Sequence, residues 1–370
     1  MNSSIEASQV RWQRGSALSG SCLKALALIF SQLAVAAPPD AWQPLPEGPV
    51  ERIAFGSCAK HWQAQPIWGA IIDKKPDLFL FLGDNIYGDT DGTTAWLVSE
   101  GQMVGEWNRL ADKPEFQRAR AALPFLATWD NHDYGSHAGG AEFPVKEETK
   151  EAFLSFFGEP ENSPRWKRSG IYDAKILGPE GKRVQIILLD TKFNRSAFKK
   201  DPTPKQERLK AGKVGGYLPD GDKSKTHLGA EQWAWLETEL EKPAELRLIC
   251  SSTQVIPNQK GMDEWGNFPR ERQRLLALAE SAGNSIVLSG NVHFAEISRE
   301  PTTGLVEFTS SGMTHINESY AQADNRYRIG KPLVDLNFGL VEIDWDSGTV
   351  ALSAAGQGGE IAIRHEISFR

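Results

Sequence analysis

Four short apolar runs each stop at a polar cluster. RIAF at 52–55 runs into GSC at 56–58, and DLFLFL at 77–82 runs into GDNIYGD at 83–89. LPFLAT at 123–128 runs into WDNHD at 129–133, and SIVL at 285–288 runs into SGNVHFAE at 289–296. Short apolar runs bounded by Gly, Asn and Asp read as buried β-strands. Between them, helical spacing of apolar positions predicts helices over 65–74, 94–110, 114–122 and 146–157. Strands alternating with helices predict parallel strands in one sheet.

The second half reads differently. Strands are predicted over 170–176 and 184–190, joined across Gly178-Pro179-Glu180-Gly181, then over 246–251 and 285–288, with helices over 229–241 and 269–282 between. Further short strands follow over 295–298, 306–309, 339–344, 350–354 and 361–367. Frequent strands late in the chain predict a second sheet packed against the first. Residues 195–225, rich in Lys, Pro and Gly, read as a long exposed loop, a candidate lid. Lys199, Lys200, Lys205 and Lys210 within it could attract anionic substrates, and a solvated face is the preferred reading.

Composition adds bounds. The chain has 370 residues, 41 Lys and Arg, 48 Asp and Glu, and a net charge of −7. No basic run argues for a nucleic-acid-binding surface. Arg11, Arg14 and Lys24 precede an apolar stretch at 26–36 that ends in AVA-APPD. This is the pattern of a secretory signal peptide over 1–36, which predicts export to the periplasm or outside the cell and no transmembrane segment after its removal. Residues 37–50 read as a Pro-rich linker, and the domain proper as 51–370. Past the leader only Cys58 and Cys250 remain. In an oxidising compartment the two could pair as a disulfide; the preferred reading takes Cys58, which ends the first strand run, as a ligand thiolate and Cys250 as a buried core thiol.

The strand-end residues carry the chemistry. Asp84 directly after an apolar strand is costly to bury without a cation. Tyr87, three residues on, can turn back to the same site, and a phenolate suits a trivalent cation such as Fe3+. Asn131 offers a hard neutral oxygen. His132 beside it can contact a phosphate or protonate a leaving group. His293 lies two residues after Asn291, on the same side of a strand or turn, and Cys58 supplies a thiolate. Together these donors suffice for two metal ions sharing Asp84, the arrangement that serves in-line displacement at phosphorus. The sequence Asp89-Thr90-Asp91-Gly92 reads as a turn, since the remaining ligands of an EF-hand loop are missing.

GSC, GDNIYGD, WDNHDYG and GNVH, with SSTQVIPN at 251–258 and WGNFPRERQRLL at 265–276, resemble the alkaline phosphatase D (PhoD-like) branch of the calcineurin-like metallophosphoesterases. The resemblance runs from about residue 52 to the end. It implies a four-layer α/β/β/α sandwich with two mixed sheets. It implies an exported phosphoric-ester hydrolase acting on a phosphomonoester, a phosphodiester or a phospholipid head group, with a metal-activated hydroxide or oxide as nucleophile. Carried over by position, Cys58, Asp84, Tyr87 and His293 would hold Fe3+. Asp84, Asn131 and Asn291 would hold a divalent ion, Ca2+ first, with Zn2+ or Mn2+ as alternatives, while His132 would face the phosphate. Asn291 stands where the family often has Asp. A further His ligand common in metallophosphoesterases has only Ser252 or Gln254 as a stand-in. These departures sustain an alternative: a catalytically degenerate scaffold that binds metal or a partner.

Overall fold

The computed structural model describes residues 42–89 and 99–369. The leader at 1–36, the start of the 94–110 helix and most of the 89–92 turn lie outside the described residues. One sheet has six strands in the order β15-β14-β13-β1-β2-β3: β1 (Arg52–Gly56), β2 (Leu78–Leu82), β3 (Phe125–Thr128), β13 (Asn337–Asp344), β14 (Thr349–Gly356) and β15 (Ile361–Ser368). The other has seven in the order β12-β10-β11-β9-β8-β5-β4: β4 (Asp173–Leu177), β5 (Val184–Leu188), β8 (Leu246–Ser251), β9 (Ser285–Ser289), β10 (Ala295–Arg299), β11 (Val306–Ser310) and β12 (Arg328–Leu333). Both are mixed. β1, β2 and β3 run parallel, as do β5, β8, β9 and β11, and the remaining pairings are antiparallel.

Alternation along the strands sets the layers. In β2, Leu78, Leu80 and Leu82 face the second sheet, where they pack with Ile186, Leu188, Leu248 and Leu288. Phe79 and Phe81 point the other way, onto helices α1 (Ile67–Asp73), α2 (Glu100–Ala111), α3 (Pro114–Ala122) and α5 (Lys146–Phe156), through Trp68, Trp107, Phe116 and Phe156. In β5, Ile187 faces outward onto α7 (Ala230–Leu240) and α8 (Pro269–Ala282), through Trp233, Leu236 and Leu275. A two-residue period with both faces apolar demands a cover on each side. The result is the four-layer α/β/β/α sandwich. Phe55 and Phe308 meet edge to face across the two sheets, with ring centroids 4.9 Å apart.

Most predicted elements fall within a residue or two of the observed ones. Additional ones include β12, the pair β6 (Lys199–Lys200) and β7 (Tyr217–Leu218), and the short helix α6 (Lys205–Lys210). The last three fold the 195–225 stretch into a structured arm. Tyr217 N–H donates to Gly261 O (3.0 Å), Gly215 N–H to Lys260 O (2.9 Å), and Arg195 to Ala138 O (2.7 Å). Trp42, in the segment read as a linker, packs on Phe125 and Phe157 and donates to Phe156 O (3.1 Å). Cys58 and Cys250 are both free and buried, Cys250 within the core between the sheets. No helix among the described residues is long and apolar enough to cross a membrane.

Candidate metal centre

Parallel strands of both sheets end at one place. β1 delivers Cys58, β2 delivers Asp84, and β3 delivers Asn131 and His132 through a single helical turn, α4 (Asn131–Tyr134). From the second sheet β9 delivers Asn291 and His293, and β11 delivers Ser311. Carboxyl ends of parallel strands are where such folds place their ligands. Donor atoms of Cys58, Asp84 and His293 all lie within 4.8 Å of one another. The Cys58 thiol approaches Asp84 Oδ2 at 3.3 Å and Ser311 Oγ at 3.1 Å. Ser311 Oγ also accepts the His293 N–H at 3.0 Å, so one hydroxyl links two of the donors.

The backbone bends hard to bring them together. Cys58, Asp84, Asn291 and His293 all adopt left-handed φ, between 51° and 68°. Non-glycine residues there cost on the order of 1–3 kcal/mol each and persist where the surroundings hold them, commonly at functional sites. Two glycines allow the close approach. A Cβ on Gly83 would sit 2.6 Å from Asp130 Cβ, and one on Gly290 would sit 2.4 Å from Ser57 Oγ.

Neighbouring side chains fix the remaining parts. Tyr87 stacks on His132, with ring centroids 4.0 Å apart, and its hydroxyl meets His315 Nε2 at 3.1 Å. His132 Nδ1 pairs with Asp89 Oδ1 at 2.5 Å, which leaves Nε2 as the nitrogen a substrate can use. Asp133 accepts the Ile86 N–H and the Asp130 N–H, both at 2.9 Å, and so ties GDNIYGD to WDNHD. Asn131 Nδ2 meets His137 Nδ1 at 3.2 Å. Gln254, a candidate stand-in ligand, is turned away to Glu296 and Thr309. Ser252 bonds Thr191 Oγ1 at 2.8 Å.

The site holds more anionic groups than it balances. Burial, then the Asp84 charge, pushes the Cys58 thiol well up, and burial with Cys58 and Asp84 does the same to Tyr87. Burial and then Asp84 raise Asp133 as well. Burial lowers His293 to about 4. Burial would also lower His132, but Asp84, Asp89 and Asp130 together raise it. A bound cation relieves every one of the anionic penalties. The donor set of Cys58, Asp84, His293 and Tyr87 therefore fits a metal ion. The second half is different. Asn131 and Asn291 are neutral, and the nearby carboxylates Asp130 and Asp263 pair with the buried ammonium of Lys192 at 2.6 and 2.5 Å.

An open cavity of about 470 Å³ lies over this floor, lined by Asn131, His132, His137, Asn291, His293 and Asp263. The arm at 195–225 forms its far wall through Lys200, Lys205, Arg208 and Tyr217. The sequence reading missed His315, Asp89, His137, Lys192 and Asp263. His315 lies beyond the end of β11, whose sequence VEFTS is not an apolar run, whereas Lys192 follows QIILLD as the recognised motifs follow theirs. Asp263 sits in a long loop with no such signal.

Two mixed sheets with strand-end donors define the architecture of a metallophosphoesterase. The PhoD-like phosphatase model matches residues 53–351, and the chain belongs to that family. Alkaline phosphatase D of Bacillus subtilis (strain 168) is 24% identical over 282 residues, 66% of this chain and 46% of that protein, so the chain spans about half the length of the relative it matches. A solved structure of PhoD superimposes with a TM-score of 0.68 at 16% identity, covering 88% of this chain and 71% of that one. GAP50, the anchor in the inner membrane complex of Plasmodium, gives 0.52 at 12% identity, covering 87% and 90%. At these identities both structures speak for the fold alone.

Proposed function

We propose that this chain is an exported, metal-dependent phosphoric-ester hydrolase. The observation that carries it is the convergence of donor atoms of Cys58, Asp84 and His293 within 4.8 Å, at a point where parallel strands of both sheets end. Cys58, Asp84, Tyr87 and His293 would hold a ferric ion. Asp84, Asn131 and Asn291 would hold a divalent ion, with Ca2+ the first candidate and Zn2+ or Mn2+ behind it. When bound, such ions supply positive charge to the attacking and leaving oxygens of a displacement at phosphorus.

The chain's own residues do the rest. His132, oriented by Asp89 and stacked on Tyr87, presents Nε2 to the cavity and can give a proton to the departing alkoxide. Asn131 and Asn291 line the same cavity and orient the phosphoryl group through their amides. Export rests on the residue pattern at 1–36. One observation favours a competing reading, a scaffold that holds metal without turnover: Asp130 and Asp263, carboxylates beside Asn131 and Asn291, are both already engaged by Lys192.

Elemental analysis of the purified protein with its visible spectrum tests the proposal, paired with mono- and diester turnover at alkaline pH. Near-stoichiometric iron, a tyrosinate-to-iron band lost in Tyr87→Phe, and phosphate release are expected. Bound metal with neither ester hydrolysed selects the scaffold reading. Absence of metal after reconstitution with iron, zinc and manganese removes the centre altogether.

A further inference from the structure

The arm at 195–225 is charged against the rest of the chain. It carries nine Lys and Arg against four Asp and Glu, in a protein whose net charge is −7. Its cations are not spread evenly over the surface. Lys200, Lys205 and Arg208 line the cavity over the metal-donor cluster. Arg208 is half-buried, and its donors are committed within the arm, to Gly215 O at 2.8 Å and Thr203 O at 2.5 Å. Asp201 also lines the cavity, with its carboxylate engaged by the Thr203 N–H at 2.9 Å. Lys200 and Lys205 make no ion pair among the described residues. The arm is held as a wall by the pairing of Lys200 with Tyr217 in β6–β7 and by the Tyr217 and Gly215 bonds to 260–261.

An arm solvated for its own sake has no need to place two lysines without ion-pair partners on a cavity that reaches Asn131, Asn291 and His293. A cavity of about 470 Å³ is within the usual range of small-molecule sites, about 300–1,000 Å³, and exceeds what one phosphate requires. Lysine is an adaptable point charge suited to phosphate oxygens. We propose that Lys200 and Lys205 form an anion subsite facing the metal centre, so that the preferred substrates are phosphoesters carrying a second phosphate-like group beyond the scissile one. This rests on the hydrolase reading for its catalytic consequence, though the subsite can be measured by binding alone.

The test compares butyl phosphate with 3-phosphonopropyl phosphate, whose phosphonate is a second anion that cannot be released. With the metal-loaded full chain, KM is expected to be about three- to tenfold lower for the phosphonate-bearing ester, the advantage shrinking as salt is raised. The Lys200→Gln/Lys205→Gln double variant should lose that advantage. Lys223→Gln, which removes a charge from the same arm away from the cavity, should keep it. Equal KM values in the wild type, or discrimination surviving in the double variant, overturn the subsite. If neither ester is turned over, the hydrolase reading fails on its own, and calorimetry with propane-1,3-bisphosphonate against butylphosphonate decides the subsite. Preferential binding of the bisphosphonate that the double variant loses supports it, and equal binding overturns it.

Discussion

The buried charged cluster around Glu296 and the one around Asp84 are built on opposite rules. Around Glu296 in β10 every charge has its partner. Lys260 Nζ meets Oε1 at 2.6 Å, Arg328 Nε meets Oε2 at 2.5 Å, and Gln254 donates to Oε1 at 2.8 Å. Burial alone would raise Glu296, yet Lys260 and Arg328 hold it down at about 2. Around Asp84 the partners are the Cys58 thiol and the His132 N–H, with no Lys or Arg paired to it among the described residues, and burial drives the neighbouring Cys58, Tyr87 and Asp133 up. The first cluster is complete as a piece of protein. In the second, burial and like charges disfavour the ionised groups, and on the proposed reading a cation would relieve that penalty.

The largest expected effects test this contrast directly. Asp84→Asn should cut ester turnover by roughly 10³-fold or more, the scale on which a preorganised electrostatic element matters. The metal-free variant should be no less stable than metal-free wild type, because a carboxylate that opposes its neighbours has been removed. The wild type should gain about 2.7 kcal/mol from metal at a hundred times its Kd, and the variant should gain none. Thermal denaturation with and without metal reads both. A metal-free variant that melts well below wild type would show that Asp84 is structural and would erase the contrast. Glu296→Gln should do the reverse. Breaking a buried ion pair costs about 3–5 kcal/mol, here by leaving Lys260 and Arg328 without their carboxylate, and urea denaturation measures it. The wild-type contribution is present in full above about pH 4.5 and is lost as pH falls toward 2, since the folded-state value is depressed. A loss under about 1 kcal/mol would mean the network is slack.

What the sequence made legible follows the same division. Local patterns exposed the strands because each carries a two-residue period between apolar covers, and exposed Cys58, Asp84, Asn131 and His293 because each follows an apolar run directly. The left-handed backbone at Cys58 left no mark, since cysteine does not favour it. The Glu296 network stayed hidden because its members are 36 and 32 positions apart and each alone is an ordinary polar residue. The same holds for Lys192, whose acidic partners Asp130 and Asp263 lie far from it in sequence. The 195–225 stretch reads from its sequence as an exposed loop and candidate lid, and its internal order is not legible there because it comes from bonds to 260–261 and to Ala138 that no local pattern encodes.

His227 sharpens the comparison from the neutral side, with the smallest expected effect. It is fully buried and stacks on Trp265 at 4.4 Å, and neither ring nitrogen has a hydrogen-bond partner among the described residues. Burial lowers it to about 3, well below the value of about 6.5 it takes in an unfolded chain. Between those two values the unfolded chain holds a proton that the folded one refuses, so the folded state loses stability as pH falls from about 6.5. The slope is about 1.4 kcal/mol per pH unit once the unfolded histidine is charged. His227→Phe keeps an aromatic ring against Trp265 and removes the titration. Wild type should therefore lose up to about 2 kcal/mol more than the variant between pH 6.5 and pH 5, read as the difference of two urea midpoint series. Parallel series would mean that His227 is protonated in place, with the nearby Asp263 as its partner. The region behind the cavity wall would then be charge-balanced like the Glu296 cluster, and Asp263 would have less charge to spare for Lys192.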